Sequence, residues 1–275
     1  VTVDALLASL AAVLVLVVVY VPLERAFPAR AQRFFRPEFG SDLLFLLGSY
    51  LVFAVGIGWV LREVFLALEA TLGAAPWRAT VDAAPLWLLV VGAVALGDLL
   101  IYWFHHACHH FEVLWRFHRV HHTVEHLDWL AAHREHPLDG LVTQLLLNLP
   151  AMLLGLPLRA IGGVIVFRGL WAIFIHSNVR VPLGPLRFVF GAPELHHWHH
   201  AKVERTAHNF ANLAPYWDWV FGTYHADLSP ETYPLGVPGD APKSYWRHLL
   251  EPLGVRSRAA SAVRDRPPRE CALDR

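Results

Sequence analysis

Long runs without a charged side chain alternate with short polar stretches, and the rhythm breaks only in the last third of the chain. Residues 5–23 hold no charge and reach bilayer-spanning length. With no basic n-region or small-residue cleavage site, this run predicts an anchor and not a signal peptide. Residues 43–61 form a second uncharged run, and residues 83–104 a third, interrupted only by Asp98. Residues 140–158 and 160–175 make a further pair, hairpin or re-entrant, with the breaker Gly155-Leu156-Pro157 at their junction and a lone interior Arg168. The pattern predicts an all-α, polytopic integral membrane protein with about four to five membrane-embedded helices.

Composition agrees with that pattern. The 275 residues are 55% hydrophobic and 17% charged, where a soluble domain carries about a quarter charged residues. Lys+Arg 23 balance Asp+Glu 23, so the global basicity that nucleic-acid binding needs is absent. Arg25, Arg30, Arg33 and Arg36 crowd the first loop, against Arg62 and Arg78 in the second, so the first loop is expected to be cytoplasmic. Counting spans from there brings residues 105–136 and 196–208 to one cytoplasmic cap. We expect a membrane-embedded domain over residues 1–229, and a Pro/Arg/Ala/Ser-rich extension over 230–275 that frays from Arg256.

The histidines change the picture. The chain has 18, none in the first hundred residues, while its two cysteines, Cys108 and Cys271, are too few for a thiolate site. His105 and His109 lie four apart on one helix face, and His106 and His110 form a rival pair about a hundred degrees round the helix. Asp98, two turns before His105, favours the first pair. His118, His121 and His122 occupy i, i+3 and i+4, and the same HxxHH recurs at His196, His199 and His200. Eight imidazoles at ligand spacing are too many for one ion and suit two, with iron, zinc and copper all chemically fitting. His136 and His176 are further candidates. His126 and His133 read as surrounding or exposed residues, His208 as a hydrogen-bond donor near the site, and His225 and His248 as surface residues. Carboxylates and amides expected around the ligands are Asp98, Glu125, Glu194, Asn209 and Asp218, with Glu135 and Asp139 in the same stretches.

From Asp98 to Tyr224 these motifs resemble the fatty acid hydroxylase and sterol desaturase superfamily of membrane di-iron enzymes. The resemblance is carried by Asp98-x-x-x-Tyr102, His105-x-x-x-His109 and Leu114-Trp115-Arg116-Phe117-His118-x-x-His121-His122. It continues through Arg134-x-His136-Pro137, His176 and Pro193-x-x-His196-x-x-His199-His200 to Asn209-Phe210 and Trp217-Asp218-x-x-Phe221-Gly222-Thr223. It implies ligand roles for His105, His109, His118, His121, His122, His196, His199 and His200, extending to His136 and His176. Two places depart from the family pattern. His106 stands where arginine is usual, and Arg180 where a second histidine often follows the one at His176; either the last span gives one ligand fewer or His133 takes its place.

An unactivated C–H bond resists acid, base and nucleophile, and the chain has no GxSxG, phosphate loop or dinucleotide fingerprint. The resemblance implies O2-dependent hydroxylation, or desaturation, of a lipid such as a sterol, hopanoid or fatty acyl chain. Two iron ions would serve as cofactors, with zinc able to replace them in purified material. Electrons would come from an external ferredoxin, cytochrome or reductase, since no flavin, haem or iron–sulfur motif is present. Trp103, Trp115, Phe117, Trp129, Trp198, Trp217 and Trp219 are candidates to line the approach to the metals. A membrane zinc hydrolase is the alternative, disfavoured by the lack of HExxH, and a metal transporter is less favoured again because the triplets lie outside the spans.

Overall fold

The computed structural model describes residues 3–181, 183–203, 205–226, 231–239 and 241–255. Among them every regular element is helical. The first span is α1 (Val3–Ala26), followed by α2 (Phe39–Gly48), which runs through a wider π turn at Ser49–Phe53 into α3 (Ala54–Leu72). Phe39–Leu72 is thus one rod of 34 residues, on the order of 50 Å at 1.5 Å per residue, longer than the hydrocarbon layer is thick. The short α4 (Arg78–Asp82) leads to α5 (Leu86–His110) and α6 (Glu112–His122). After a loop come α7 (Pro137–Leu153), α8 (Leu158–His176), α9 (Pro193–His199), α10 (Tyr216–Phe221) and α11 (Tyr245–Leu250).

Four helical stretches are long and apolar enough to cross a membrane: Leu7–Ala26, Phe39–Leu72, Leu86–His110 and Arg159–His176. Their exposed Leu, Val and Trp side chains, among them Leu14, Val52, Trp59, Trp87 and Val166, are what a lipid-solvated surface requires. The chain is an integral membrane protein. Helix α7, expected as a span, has 17 residues, carries Gln144 and Asn148, and is sandwiched by α5, α3 and α8. It packs tightest on α5, where Gly97 leaves no room for a side chain: a Cβ there would lie 2.6 Å from the Leu147 carbonyl oxygen.

The first half of the expected extension is packed onto the body. Leu235 joins Val124, Leu127 and Ala131 in a small core, Glu231 pairs with Arg30 and His197, and α11 leans on α2. His248 of α11, expected at the surface, is instead 1% exposed against Phe45. The expected fraying from Arg256 lies outside the described residues.

Beside the first-loop arginines the structure holds a buried ionic network. Arg36 grips Asp128 through Nε and Nη2, each at 2.6 Å, and Asp42 through Nη1 at 2.7 Å. Arg134 meets the other Asp42 oxygen at 2.6 Å and Glu38 at 2.6 Å. This network ties the start of α2 to the segment between α6 and α7, the floor on which the histidines stand.

Candidate metal centre

Four elements deliver the histidines to one place. Helix α5 ends with His105 and His109 on its inner face, and the extended Phe111 (φ −95°, ψ 125°) turns the chain directly into α6, which carries His118, His121 and His122. Helix α8 ends on His176. Pro193 starts α9, which holds His196 and His199, with His200 at its C-cap. Gly191, just before α9, is required by space, because a Cβ there would sit 1.9 Å from the Asn212 carbonyl oxygen.

These nine imidazoles fall into two groups, His105, His109, His118, His122 and His199 in one and His121, His176, His196 and His200 in the other, each able to bring its ligand nitrogens within 4.8 Å of one another. Each HxxHH triplet is divided between them. Helix α6 gives two histidines to the first group and one to the second, and α9 with its cap gives one and two. The groups touch: the His122 and His200 rings stack with centroids 4.4 Å apart.

The hydrogen bonds decide which nitrogen faces inward. Nδ1–H of His105 donates to Phe210 O at 2.8 Å, that of His121 to Arg134 O at 3.1 Å, that of His176 to Ala172 O at 2.6 Å and that of His199 to His208 O at 2.8 Å. His118 donates to the Asp139 carboxylate at 2.8 Å. A neutral imidazole has one N–H, so a ring that donates through Nδ1 presents a bare lone pair at Nε2. Yet His121 and His176 Nε2 lie 2.9 Å apart, and His176 and His196 Nε2 2.8 Å apart. In the other group, His122 Nε2 lies 3.1 Å from His109 Nε2 and 3.2 Å from His199 Nε2. Where both rings of a pair donate through Nδ1, as in His121 and His176, the facing Nε2 lone pairs repel unless a cation lies between them.

Protons are poor candidates for that cation. Burial, reinforced by His118, pushes His121 down to about 4. Burial likewise takes His199 down to about 3, and His122, His196 and His200 lie well below the ordinary histidine value through burial and one another. The Nε2 atoms of His105 and His118 are buried with no partner at all. Nitrogen-only donors, outward Nδ1–H groups tied to oxygen and inward Nε2 atoms left bare are the arrangement that fits two transition-metal ions.

The other sequence candidates take different places. His136 is the N-cap of α7: its Nδ1 accepts from Leu138 N and its Nε2–H donates to Leu249 O at 3.2 Å, so both nitrogens are used away from the centre. His106 and His110 stack on each other at the outer side of α5. His133 is half-buried against Tyr50, outside both groups. Asp98 orients no imidazole; it accepts from Arg168 at 2.8 Å and from the Leu213 and Ala214 N–H groups. Glu125 is exposed and pairs with Lys202. Glu194, whose carboxyl burial raises, has Arg187 and His197 as its opposite-charge neighbours, neither of them in the two groups. His197 is wholly buried but bonds Glu231 and Ser177 O.

Asp218 and Asn209 act one step further out. Asp218 accepts from Phe210 N at 2.8 Å, from Ala211 N at 3.0 Å and from the Thr223 hydroxyl, fixing the carbonyl that holds His105. Asn209, in the left-handed region at φ 58°, donates to Leu195 O and His225 O and clamps the strand-like segment against α9. At His208 it is the backbone carbonyl, not the ring, that serves the site. Sequence reasoning does not single out Asp139 from the other carboxylates. It also misses Arg134, Ala172 and Phe210, which act through backbone oxygens that no side-chain motif announces.

A chamber of about 160 Å³ opens beside the nitrogens between α5, α7 and α8. His105, His118, His121, His176 and His196 form its roof, Glu135, Gln144 and Asn148 give it polar walls, and Ile101, Leu147 and Ile165 line its depth. Its aromatic residues are Phe104 and Trp171; none of the seven aromatic candidates from the sequence lines it.

Comparison with known proteins identifies residues 90–223 as matching the fatty acid hydroxylase family. The ornithine lipid hydroxylase OlsE of Rhizobium tropici is 33% identical over 196 residues, 70% of this chain and 58% of that protein. Lathosterol oxidase of Mus musculus is 29% identical over 167 residues, 60% of this chain and 52% of that protein. Alkylglycerol monooxygenase of Homo sapiens is 30% identical over 142 residues, 51% of this chain and 32% of that protein. The chain therefore spans between about a third and just over half of these relatives' length. No solved structure matches it.

Proposed function

Because residues 90–223 match the fatty acid hydroxylase family, we propose that the chain is a membrane oxygenase that hydroxylates a C–H bond of a lipid, with two iron ions held by the nine clustered histidines. The observation that carries this reading is the division of those histidines into two touching, all-nitrogen groups that roof a chamber between membrane helices. The balanced reaction is R–H + O2 + 2 e⁻ + 2 H⁺ → R–OH + H2O, with desaturation the alternative outcome on the same centre. A redox-active iron pair supplies the oxidising power that no side chain has.

The chain's own residues do the rest. Five Nδ1–H bonds to oxygen fix ring orientation and raise the basicity of the inward nitrogens. Helices α5, α7 and α8 keep water from the chamber and hold a lipid C–H beside its roof. Glu135 faces that chamber, and burial together with Asp139 raises its carboxyl to about 8. It thus holds a proton at neutral pH and can deliver it to the developing water. The electrons come from an external carrier protein, a ferredoxin, cytochrome or reductase, docking at the histidine face, which we place on the cytoplasmic side from the arginine-rich first loop.

The test is metal content and oxygen use together. Protein purified anaerobically in mild detergent should hold close to two irons per chain, and exposure of the reduced form to ¹⁸O2 with total lipid extract should give one labelled hydroxylated lipid. Redox-silent zinc that persists after iron reconstitution, with no label incorporated, would refute the oxygenase and favour a hydrolase.

A further inference from the structure

Two hollows flank the pair α5 and α8. The inner one is the chamber of about 160 Å³ under the histidines. On the other side of the same helices lies a groove of about 540 Å³. Val91, Val94, Gly163, Val164, Phe167 and Phe190 are among its walls, and Asp98 and Tyr216 are its only ionisable residues among those described. Val91 and Phe167 are 58% and 45% exposed on helices long and apolar enough to span a bilayer, so the groove opens to hydrocarbon.

The wall between the hollows is a single layer of side chains. Leu213 lines both. Asp98 lines the groove, Arg168 lines the chamber, and the two meet at 2.8 Å across the wall. Asp98 also holds the Leu213 and Ala214 N–H groups, so backbone and ion pair are anchored and the buried Leu213 side chain is what separates the two hollows there. An ion pair inside a membrane domain is costly to place there, and here it stands where the lipid phase and the catalytic chamber come closest.

We propose that this groove binds the hydrocarbon chain of a bilayer lipid and is the side port through which that chain reaches the chamber, passing at Leu213 beside the Asp98–Arg168 pair. The port rests on the lipid-oxygenase reading only for the reaction that an arriving chain would undergo. Substrate then enters from within the bilayer, tail first, and not from the water-facing loops.

Three glycines of α8 provide the test. A Cβ at Gly162, Gly163 or Gly169 would meet nothing within 4 Å, and leucine is a better helix former than glycine, so none of the substitutions threatens the helix. Gly163→Leu places a side chain on the groove wall, Gly169→Leu places one on the chamber wall, and position 162 lines neither. Each protein is placed in phosphatidylcholine nanodiscs containing a trace of phosphatidylcholine with a diazirine at the end of a palmitoyl chain, irradiated, and mapped by mass spectrometry. The wild type should carry adducts in the groove at Val94 or Phe167 and in the chamber at Ile101 or Leu147.

Gly163→Leu, obstructing the path at the groove wall, should cut chamber adducts by about tenfold, the change that about 1.4 kcal/mol of lost chain occupancy produces. Gly169→Leu should cut chamber adducts alone, and Gly162→Leu should change neither. Adducts on exposed Trp59 of α3 serve as the bilayer control in every sample. A chamber that stays unlabelled in the wild type, or that labels equally in Gly163→Leu, overturns the port. Labelling requires neither iron nor oxygen, so a gated chamber in a protein whose metal is redox-silent would refute the oxygenase and leave the port standing.

Discussion

Asp42→Asn removes one buried charge and almost no volume, and its consequence can be worked through to the metal. Asp42 is 0% exposed and is shared by two guanidiniums, Arg36 at 2.7 Å and Arg134 at 2.6 Å. Breaking a buried ion pair costs about 3–5 kcal/mol. Arg36 keeps its two-bond grip on Asp128, and Arg134 keeps Glu38, so the lower end, about 3 kcal/mol, applies. For a chain of this length that corresponds to a fall in Tm of about 6 °C. Arg134 is also the residue whose carbonyl receives His121 Nδ1–H at 3.1 Å, and loosening such an outer partner lowers metal affinity by about tenfold or more. The loss should fall on the group of His121, His176, His196 and His200, while the other group keeps its metal. Tryptophan-fluorescence melting in nanodiscs and metal analysis after graded chelation read the two effects. A variant that melts within about 1 °C of the wild type and releases both metals along the wild-type chelation curve would refute the network as the floor of the site.

Three further outcomes follow from the same geometry. Asp139→Ala leaves His118 Nδ1–H without its carboxylate and should weaken retention by the five-histidine group about 10–100-fold, read by chelator competition. In metal-stripped protein, unfolded histidines take up protons near 6.5 while His121 and His199 resist to about 4 and about 3. The unfolded state then binds more protons, so stability falls as pH drops from about 6.5, by roughly 2 kcal/mol for each of the two at pH 5. A flat acid melting profile over that window would contradict their burial as neutral rings. Gly191→Ala forces a methyl against the Asn212 carbonyl and should cost about 1–3 kcal/mol by overpacking; an unchanged melting temperature would show that the two segments separate freely.

The parts of the site that follow helical periodicity were legible in the sequence. Spacings of i, i+3 and i+4 put His118, His121 and His122 on one face whatever surrounds them, and the same holds for His196, His199 and His200. Which member serves which group depends on the crossing of α6 with α9, which no local spacing encodes. His136 carried a ligand's signature, but Pro137 at the first helical position makes the preceding residue an N-cap, and its Nδ1 is consumed by Leu138 N–H. Asp98 shared the face of His105 and so looked like an imidazole partner. The lone Arg168 in another apolar run was the available signal that it was not, since two opposite charges inside membrane helices are expected to find each other. His248 looked like a surface residue because the segment around it has no strong periodicity, and its burial comes from α11 docking on α2.

The centre has to be built by groups other than its own ligands. Five of the nine imidazoles donate outward through Nδ1 and turn a bare Nε2 inward. Where two of these face each other, as His121 and His176 do, they repel in the absence of a cation, while burial makes protonation a poor remedy. What opposes that repulsion lies around the rim. Arg36, Asp42, Asp128 and Arg134 hold the segment after α6, Asp139 holds His118 from α7, and Asp98 and Asp218 hold residues 210–214 from below and above. Each is a charged group whose attraction is strengthened by low dielectric; Arg134 reaches His121 and Asp218 reaches His105 through a backbone carbonyl, and Asp139 bonds the His118 ring directly. The ring positions are therefore fixed before metal arrives, and metal binding has only lone-pair repulsion to relieve. For that reason the rim carboxylates, which never touch a metal, are expected to govern metal retention as strongly as the histidines govern its identity.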